Sequence, residues 1–266
     1  MAASPDTGFD GFRGRYVVLK VGGTADVERG RIGADVRDLV AAGARVVIAH
    51  GGGDALSDFL AERGETPTWI DGLRVTSAAT RDAAVMVFRG VVAPALIGEL
   101  VDNGVSAVGI AGNDGDVIRV EQQSAALGYV GQVCEVRRGL LDDLTERGHV
   151  PTIAPLGLGP DGQIYNVNGD EIAGAVAHAL RAEALLFLTD VPAVLDADGE
   201  PIRDLPAGRA NALIAQGVIR DGMVPKVRAA LDLLDAVDAV WITDGREPHA
   251  IRQTLVEGAV GTRIVA

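Results

Sequence analysis

Two stretches decide the fold: residues 16–24, YVVLKVGGT, and residues 44–53, ARVVIAHGGG. Each opens as an almost unbroken apolar, β-branched run, without the polar alternation of a half-exposed strand. Each therefore predicts a strand buried on both faces. Both runs end in glycines, which let the chain turn tightly and let a ligand approach the backbone closely. Between them Ile32, Val36, Leu39 and Val40 recur at helical spacing and predict a helix over roughly 29–42, and a second helix follows near 54–63. Strand, glycine turn and helix, repeated, point to a parallel sheet with helices on both faces.

The same reading extends outward. Residues 105–110 predict a third buried strand, and 116–136 a β-hairpin. Residues 78–100 predict a helix kinked or broken at Pro94. After the turn signal GPDG, the segment QIYNVNG leads into a helix over 171–180 and a strand over 184–188. Helices near 207–216, 223–235 and 248–257, with strands at 239–243 and 261–265, complete the chain. No internal repeat or low-complexity linker divides its 266 residues. We expect one continuous α/β unit: a flexible lead over 1–14, an N-terminal lobe over 15–167 and a C-terminal lobe over 168–266.

Composition narrows the function. The 24 basic and 37 acidic residues give a net charge of −13, which argues against a nucleic-acid partner. Cys134 is the single cysteine, so no disulfide framework forms within one chain. The N-terminus lacks a signal-type apolar segment, and no run of 18 apolar residues occurs. We therefore expect a cytoplasmic protein with no membrane partner. The four histidines lack zinc-site spacing. Among the basic residues 22 are Arg and only Lys20 and Lys226 are Lys. A compositional bias explains the arginines. A lysine kept against it marks a place where a compact ammonium is needed.

Lys20 ends a buried strand beside a glycine loop, where it can neutralise an anion as a point charge. Lys226, in GMVPK at a helix start, is disfavoured there by the helix dipole unless an anion binds alongside. In residues 166–170, NVNGD, Asn168 or Asp170 can cap a helix, or the segment can supply donors to a substrate carboxylate. Arg74 can grip a carboxylate through two N–H groups. The literal GxGxxG at Gly157, Gly159 and Gly162 runs through a Pro-Asp-Gly turn into an extended segment, not a helix, and is not read as a dinucleotide site. The acidic run at 196–200 lacks calcium-loop spacing.

In order, LKVGGT, VIAHGGG, DGLRVT, LGYVGQV, YNVNGDEIAGAVA, LLFLTDVPAVLD, GVIRDGMVPKVRAAL and ITDGREPH resemble the amino-acid kinase family. The resemblance covers nearly the whole chain and is greatest to the branch that acts on N-acetyl-L-glutamate. It implies a three-layer αβα sandwich around a mainly parallel open sheet. It implies ATP-dependent phosphorylation of the γ-carboxylate of N-acetyl-L-glutamate to an acyl phosphate, in arginine biosynthesis. Mg2+ would accompany ATP, held by phosphate and water, with no protein metal ligand. By motif position, Lys20 and Lys226 match the lysines that neutralise the transferring phosphoryl group, and Asp170 the aspartate that orients them. Gly52, Gly53, Arg74 and Asn166 match residues that bind the amino-acid substrate. Gly22, Gly23, Thr189, Asp190, Val191, Leu195, Val218, Ile219, Arg220, Gly222 and Met223 match the nucleotide-binding segments. The N-terminal lobe would bind the amino acid and dimerise; the C-terminal lobe would bind ATP.

Two departures carry expectations. Gly169 stands where the family usually has Ala. The segment before the first strand is short, which implies a homodimer insensitive to arginine. Two alternatives remain: a kinase for a carrier-protein-linked α-aminoadipate or glutamate, and a non-catalytic amino-acid or nucleotide sensor. The net charge of −13 and the GMVPK segment disfavour the first. Retention of Lys20, Lys226, Asp170 and Asn166 disfavours the second.

Overall fold

The computed structural model describes residues 8–22, 32–220 and 222–266. The first half of the chain forms β1 (Tyr16–Val21), α1 (Gly33–Ala41), β2 (Arg45–His50), α2 (Gly53–Ala61), β3 (Trp69–Ile70), β4 (Leu73–Arg74), α3 (Ala78–Val87), α4 (Ala93–Asp102), β5 (Ala107–Ala111) and β6 (Ile118–Gln122). The second half forms β7 (Val130–Val136), α5 (Gly139–Glu146), β8 (Val150–Ala154), β9 (Leu156–Leu158), β10 (Ile164–Val167), α6 (Gly169–Leu180), β11 (Ala184–Thr189), β12 (Asp204–Pro206), α7 (Ala207–Ala215), α8 (Met223–Leu231), β13 (Ala239–Asp244), α9 (Ala250–Leu255) and β14 (Thr262–Val265).

Eight strands make one sheet in the order β12-β14-β13-β11-β1-β2-β8-β5. From β13 to β5 the neighbours are all parallel, while β14 runs antiparallel to β13. Alternation along β1 sends Val17, Leu19 and Val21 to one face and Val18 and Lys20 to the other. The first face packs α1, α4 and α9, and the second packs α5, α6 and α8. Val17, Val18, Leu19, Val47, Ile48, Leu185, Leu186 and Phe187 are fully shielded from solvent. Burying each such aliphatic side chain contributes about 1.5–3 kcal/mol. The expected three-layer sandwich and the two decisive strands are therefore present.

Other expectations are revised. Pro94 does not break the helix over 78–102. A π-helical turn, Phe88–Val92, joins α3 to α4, and Pro94 falls in the first turn after it. The wider turn gives the proline ring room where an α-helical carbonyl would clash. The joined helix is long and apolar enough to cross a bilayer by length and composition alone. It packs here against α1, α2 and β5. Residues 1–7 of the expected flexible lead lie outside the described residues, but 8–14 are anchored. Phe9 is fully buried, packs edge-on to Phe12 and lies under the Arg252 guanidinium. The 116–136 hairpin is present as β6 and β7, yet it closes with β9 and β10 into a small barrel. The GxGxxG glycines lie in the β9–β10 hairpin of that barrel, in antiparallel strands and the turn between them.

Candidate functional site

β1 occupies the point where the connections diverge. Its chain leaves through α1 on one face of the sheet, while β11 is followed by α7 and α8 on the other. In open parallel sheets, ligands bind outside the carboxyl ends of the strands at such a point. Lys20 lies at that end of β1. Its face of the sheet meets the first turn of α6, and its Nζ is 2.8 Å from Asp170 Oδ1. Asn168 proves to be the helix cap: its Oδ1 accepts from the backbone N–H of Asp170 at 2.7 Å and of Glu171 at 3.4 Å. Asp170 is thereby held in a first turn whose dipole favours its charge.

A cavity of about 300 Å³ opens from this ion pair. Lys20, Gly52, Gly53, Arg74, Asn166 and Asp170, six of the residues singled out in the sequence, line it together. Arg74 is 5% exposed. Its Nη2 donates to Gly53 O at 2.9 Å and Ser57 Oγ at 2.7 Å, and its guanidinium carbon is 4.5 Å from the Trp69 ring centroid. Its Nη1 is buried and has no partner among the described residues. Burial lowers its pKa, opposed by the nearby Asp54 carboxylate; a guanidinium stays charged regardless. Asn166 is tied to the same corner, since its Nδ2 donates to Thr76 Oγ1 at 3.3 Å and that hydroxyl donates to Arg74 O at 2.9 Å.

Gly52 and Gly53 differ in why they are glycines. A Cβ on Gly52 would lie 2.5 Å from Phe88 Cδ1, whereas a Cβ on Gly53 would meet nothing within 4 Å. Trp69, Phe88 and Val130 also line the cavity and were not singled out in the sequence. Phe88 reads there as an ordinary helical core residue, and the π turn that presents it leaves no mark in the periodicity.

The segments matched to the nucleotide lie on the β11 side of β1. Thr189 ends β11, and its hydroxyl donates to Val191 O at 3.1 Å and accepts from Val191 N–H at 3.2 Å. Arg246, not singled out in the sequence, donates to Asp190 O at 2.6 Å while gripping Asp244. Leu195 is 42% exposed beside its bridge partner Pro201. Val218, Ile219, Arg220, Gly222 and Met223 form the turn from α7 into α8, with Ile219 buried. None of these residues lines the cavity beside Arg74, and neither does Gly22. Gly23 lies outside the described residues. Lys226 is in the first turn of α8 and makes no ion pair among the described residues. Among the described residues Asp170 pairs with Lys20 and not with Lys226.

The cavity lining therefore brings together a fixed ammonium, a buried arginine and Gly53 and Asp54 of the first turn of α2. Such a site suits a molecule with two anionic ends. The wider comparisons agree in kind. An acetylglutamate kinase from Granulibacter bethesdensis is 39% identical, over 95% of this chain and 91% of its own. One from Allorhizobium ampelinum is 38% identical, over 96% and 92%. Among solved structures, a protein from Streptococcus mutans superposes with a TM-score of 0.83 at 29% identity, covering 94% of this chain and 98% of its own. An N-acetylglutamate synthase from Neisseria gonorrhoeae shares the fold, with a TM-score of 0.86 at 24% identity; 97% of this chain corresponds to 61% of that one. Residues 15–244 match the sequence pattern of the amino acid kinase family, and the chain belongs to that family.

Proposed function

We propose that this protein uses ATP to phosphorylate the γ-carboxylate of N-acetyl-L-glutamate, the acyl-phosphate-forming step of arginine biosynthesis. The observation that carries the reading is the one cavity lined together by Lys20, held by Asp170, and by the buried Arg74. A dicarboxylate fits with its α-carboxylate on Arg74 and its reacting carboxylate near Lys20. Relatives of 35–39% identity named acetylglutamate kinase support that acceptor. The acceptor carboxylate is already a nucleophile, so the protein needs no general base. Its work is positioning and charge neutralisation.

In this reading Lys20 neutralises oxygens of the transferring group, and Asp170 keeps the ammonium in place. The N–H groups of Gly52 and Gly53 add donors, and Asn166 orients the acceptor. Lys226 approaches from the nucleotide side, where ATP with Mg2+ binds along the 189–195 and 218–223 segments, including Gly22 and Gly23. The N-terminal lobe (15–167) thus takes the amino acid and the C-terminal lobe (168–266) takes ATP. A cytoplasmic homodimer completes the reading. The dimer is supported by Met86, Val91 and Val101, large apolar side chains on the 78–102 helix that are each more than half exposed; light scattering tests it.

Trapping the product with hydroxylamine tests the activity. ATP and N-acetyl-L-glutamate should yield hydroxamate, with glutamate, aspartate and α-aminoadipate far less effective. No acyl phosphate from any of the four would overturn the proposal.

A further inference from the structure

His50 ends β2 with its side chain 1% exposed, and the mechanism above does not use it. Its Nδ1 is 2.7 Å from the carbonyl oxygen of Gly51. A carbonyl only accepts, so Nδ1 must carry the hydrogen. The other nitrogen, Nε2, is buried without a partner among the described residues. A bare lone pair is tolerated there more readily than an N–H, and a charged ring would be buried without a counter-ion. Burial accordingly lowers the pKa of the imidazole below its ordinary value, outweighing the bond to Gly51.

The consequence lies one peptide further on. Strand alternation places His50 on the face of Val46 and Ile48, opposite the face of Lys20. The Gly51 carbonyl is drawn toward that imidazole. In a planar trans peptide, the following N–H points the opposite way. That N–H belongs to Gly52, which lines the cavity and has no acceptor among the described residues. The remaining polar groups of the turn are committed: Gly51 N–H to Val21 O at 3.0 Å, and Gly52 O to Leu56 N–H at 2.9 Å.

We infer that His50 is a positioning residue: as the neutral Nδ1–H tautomer it pins the Gly51 carbonyl away from the cavity and so aims the Gly52 N–H at the anionic group bound beside Lys20. The inference rests on the proposed function for the identity of that group, but the tautomer does not depend on it. Titratable and charged groups near this turn are Lys20 and Asp170 across the sheet, Asp54 in the first turn of α2, and Arg74, which donates to Gly53 O.

Nitrogen-15 NMR of histidine-labelled protein, with four histidines to assign, reads the tautomer directly. A protonated Nδ1 and a bare Nε2 for His50 at pH 7.5 are expected; a protonated Nε2 there overturns the inference. Kinetics supply the second readout. H50F fills the space without a donor, and should melt near the wild type yet lose kcat by about 10²-fold, the scale of a small misplacement at a reacting centre. Its KM for N-acetyl-L-glutamate should move much less. H50N, whose amide can donate from near the Nδ1 position, should recover most of kcat, and it serves if H50F fails to fold. Wild-type kcat in H50F alongside a large loss in Lys20→Ala overturns the positioning role alone. Wild-type kcat in both overturns the reading of the site, and the role with it.

Discussion

Lys20 and Asp170 stand 2.8 Å apart, the side chains only 13% and 20% exposed, one at the end of the central strand and the other in the first turn of the helix packed over it. The pair is held from outside itself, because Asn168 caps the helix and the strand is locked between β2 and β11. A preorganised charge of this kind costs little to reorganise when negative charge builds up beside it. Lys20→Ala should lower kcat by about 10²–10³, the scale for losing one such donor. Lys20→Arg should also fail, since the planar fork is larger and cannot occupy the place of a compact ammonium next to Asp170. Near-normal kcat in the folded Arg variant would count against the role.

Arg74 makes a different prediction because it lines the cavity as the proposed partner of the substrate's α-carboxylate, not of the reacting group. Two contacts of its Nη2, to Gly53 O and Ser57 Oγ, fix the guanidinium, while its Nη1 has no acceptor among the described residues. Its loss should therefore weaken binding more than chemistry. Arg74→Ala should raise the KM for N-acetyl-L-glutamate by about 10–100-fold, corresponding to about 1.5–3 kcal/mol for a hydrogen bond to a charged group. Arg74→Lys should not restore it, since one ammonium cannot both hold Gly53 and Ser57 and reach the ligand. Initial-rate kinetics decide this, and an unchanged KM rejects the carboxylate role.

Gly52 and Gly53 look equivalent in HGGG but are not. Gly52→Ala drives a methyl into the Phe88 ring at the π turn and should cost about 1–3 kcal/mol, the range for overpacking. Gly53→Ala enters open space at the start of α2 and should change stability by less than about 1 kcal/mol. Denaturant unfolding of the two variants separates them; equal destabilisation would contradict the close approach of Phe88.

What could be read from the sequence depended on range. β1 and β2 announce themselves because strands buried on both faces have no polar alternation, and Lys20 stands out against that background. The cap at Asn168 was one of two readings, and its bonds to Asp170 and Glu171 select it. The β3–β4 hairpin could not be read: two-residue strands carry no period, yet they deliver Trp69 and Arg74 to the cavity. The small barrel was equally hidden, because its closure depends on β10 pairing with β7 in parallel across more than thirty residues of chain. Phe9 reads as part of a loose lead because its burial is supplied by a core cluster distant in the chain and by the Arg252 guanidinium over its ring.

Glu171, beside Asp170, tests how much burial the helix start imposes. Its Oε1 accepts from Val133 N–H at 2.6 Å, at the point where β7 carries an extra residue relative to β6. Burial raises the pKa of its carboxyl above the ordinary 4.5, and the bond to Val133 only partly offsets this. The folded chain therefore holds the proton more tightly than the unfolded chain. The resulting stabilisation is fully present below pH 4.5 and is lost as pH rises through the raised folded value. Glu171→Gln keeps an acceptor for Val133 and cannot ionise. It should match the wild type near pH 4 and melt higher at pH 7 to 8, the gap opening as pH rises. Glu171→Ala leaves the Val133 N–H unpartnered and should be less stable than Glu171→Gln at every pH, by about 1–3 kcal/mol. Thermal melts across pH 4 to 8 read all three proteins. A wild type that gains on Glu171→Gln with rising pH would show that the carboxylate is stabilised, not strained, by its place between α6 and the barrel.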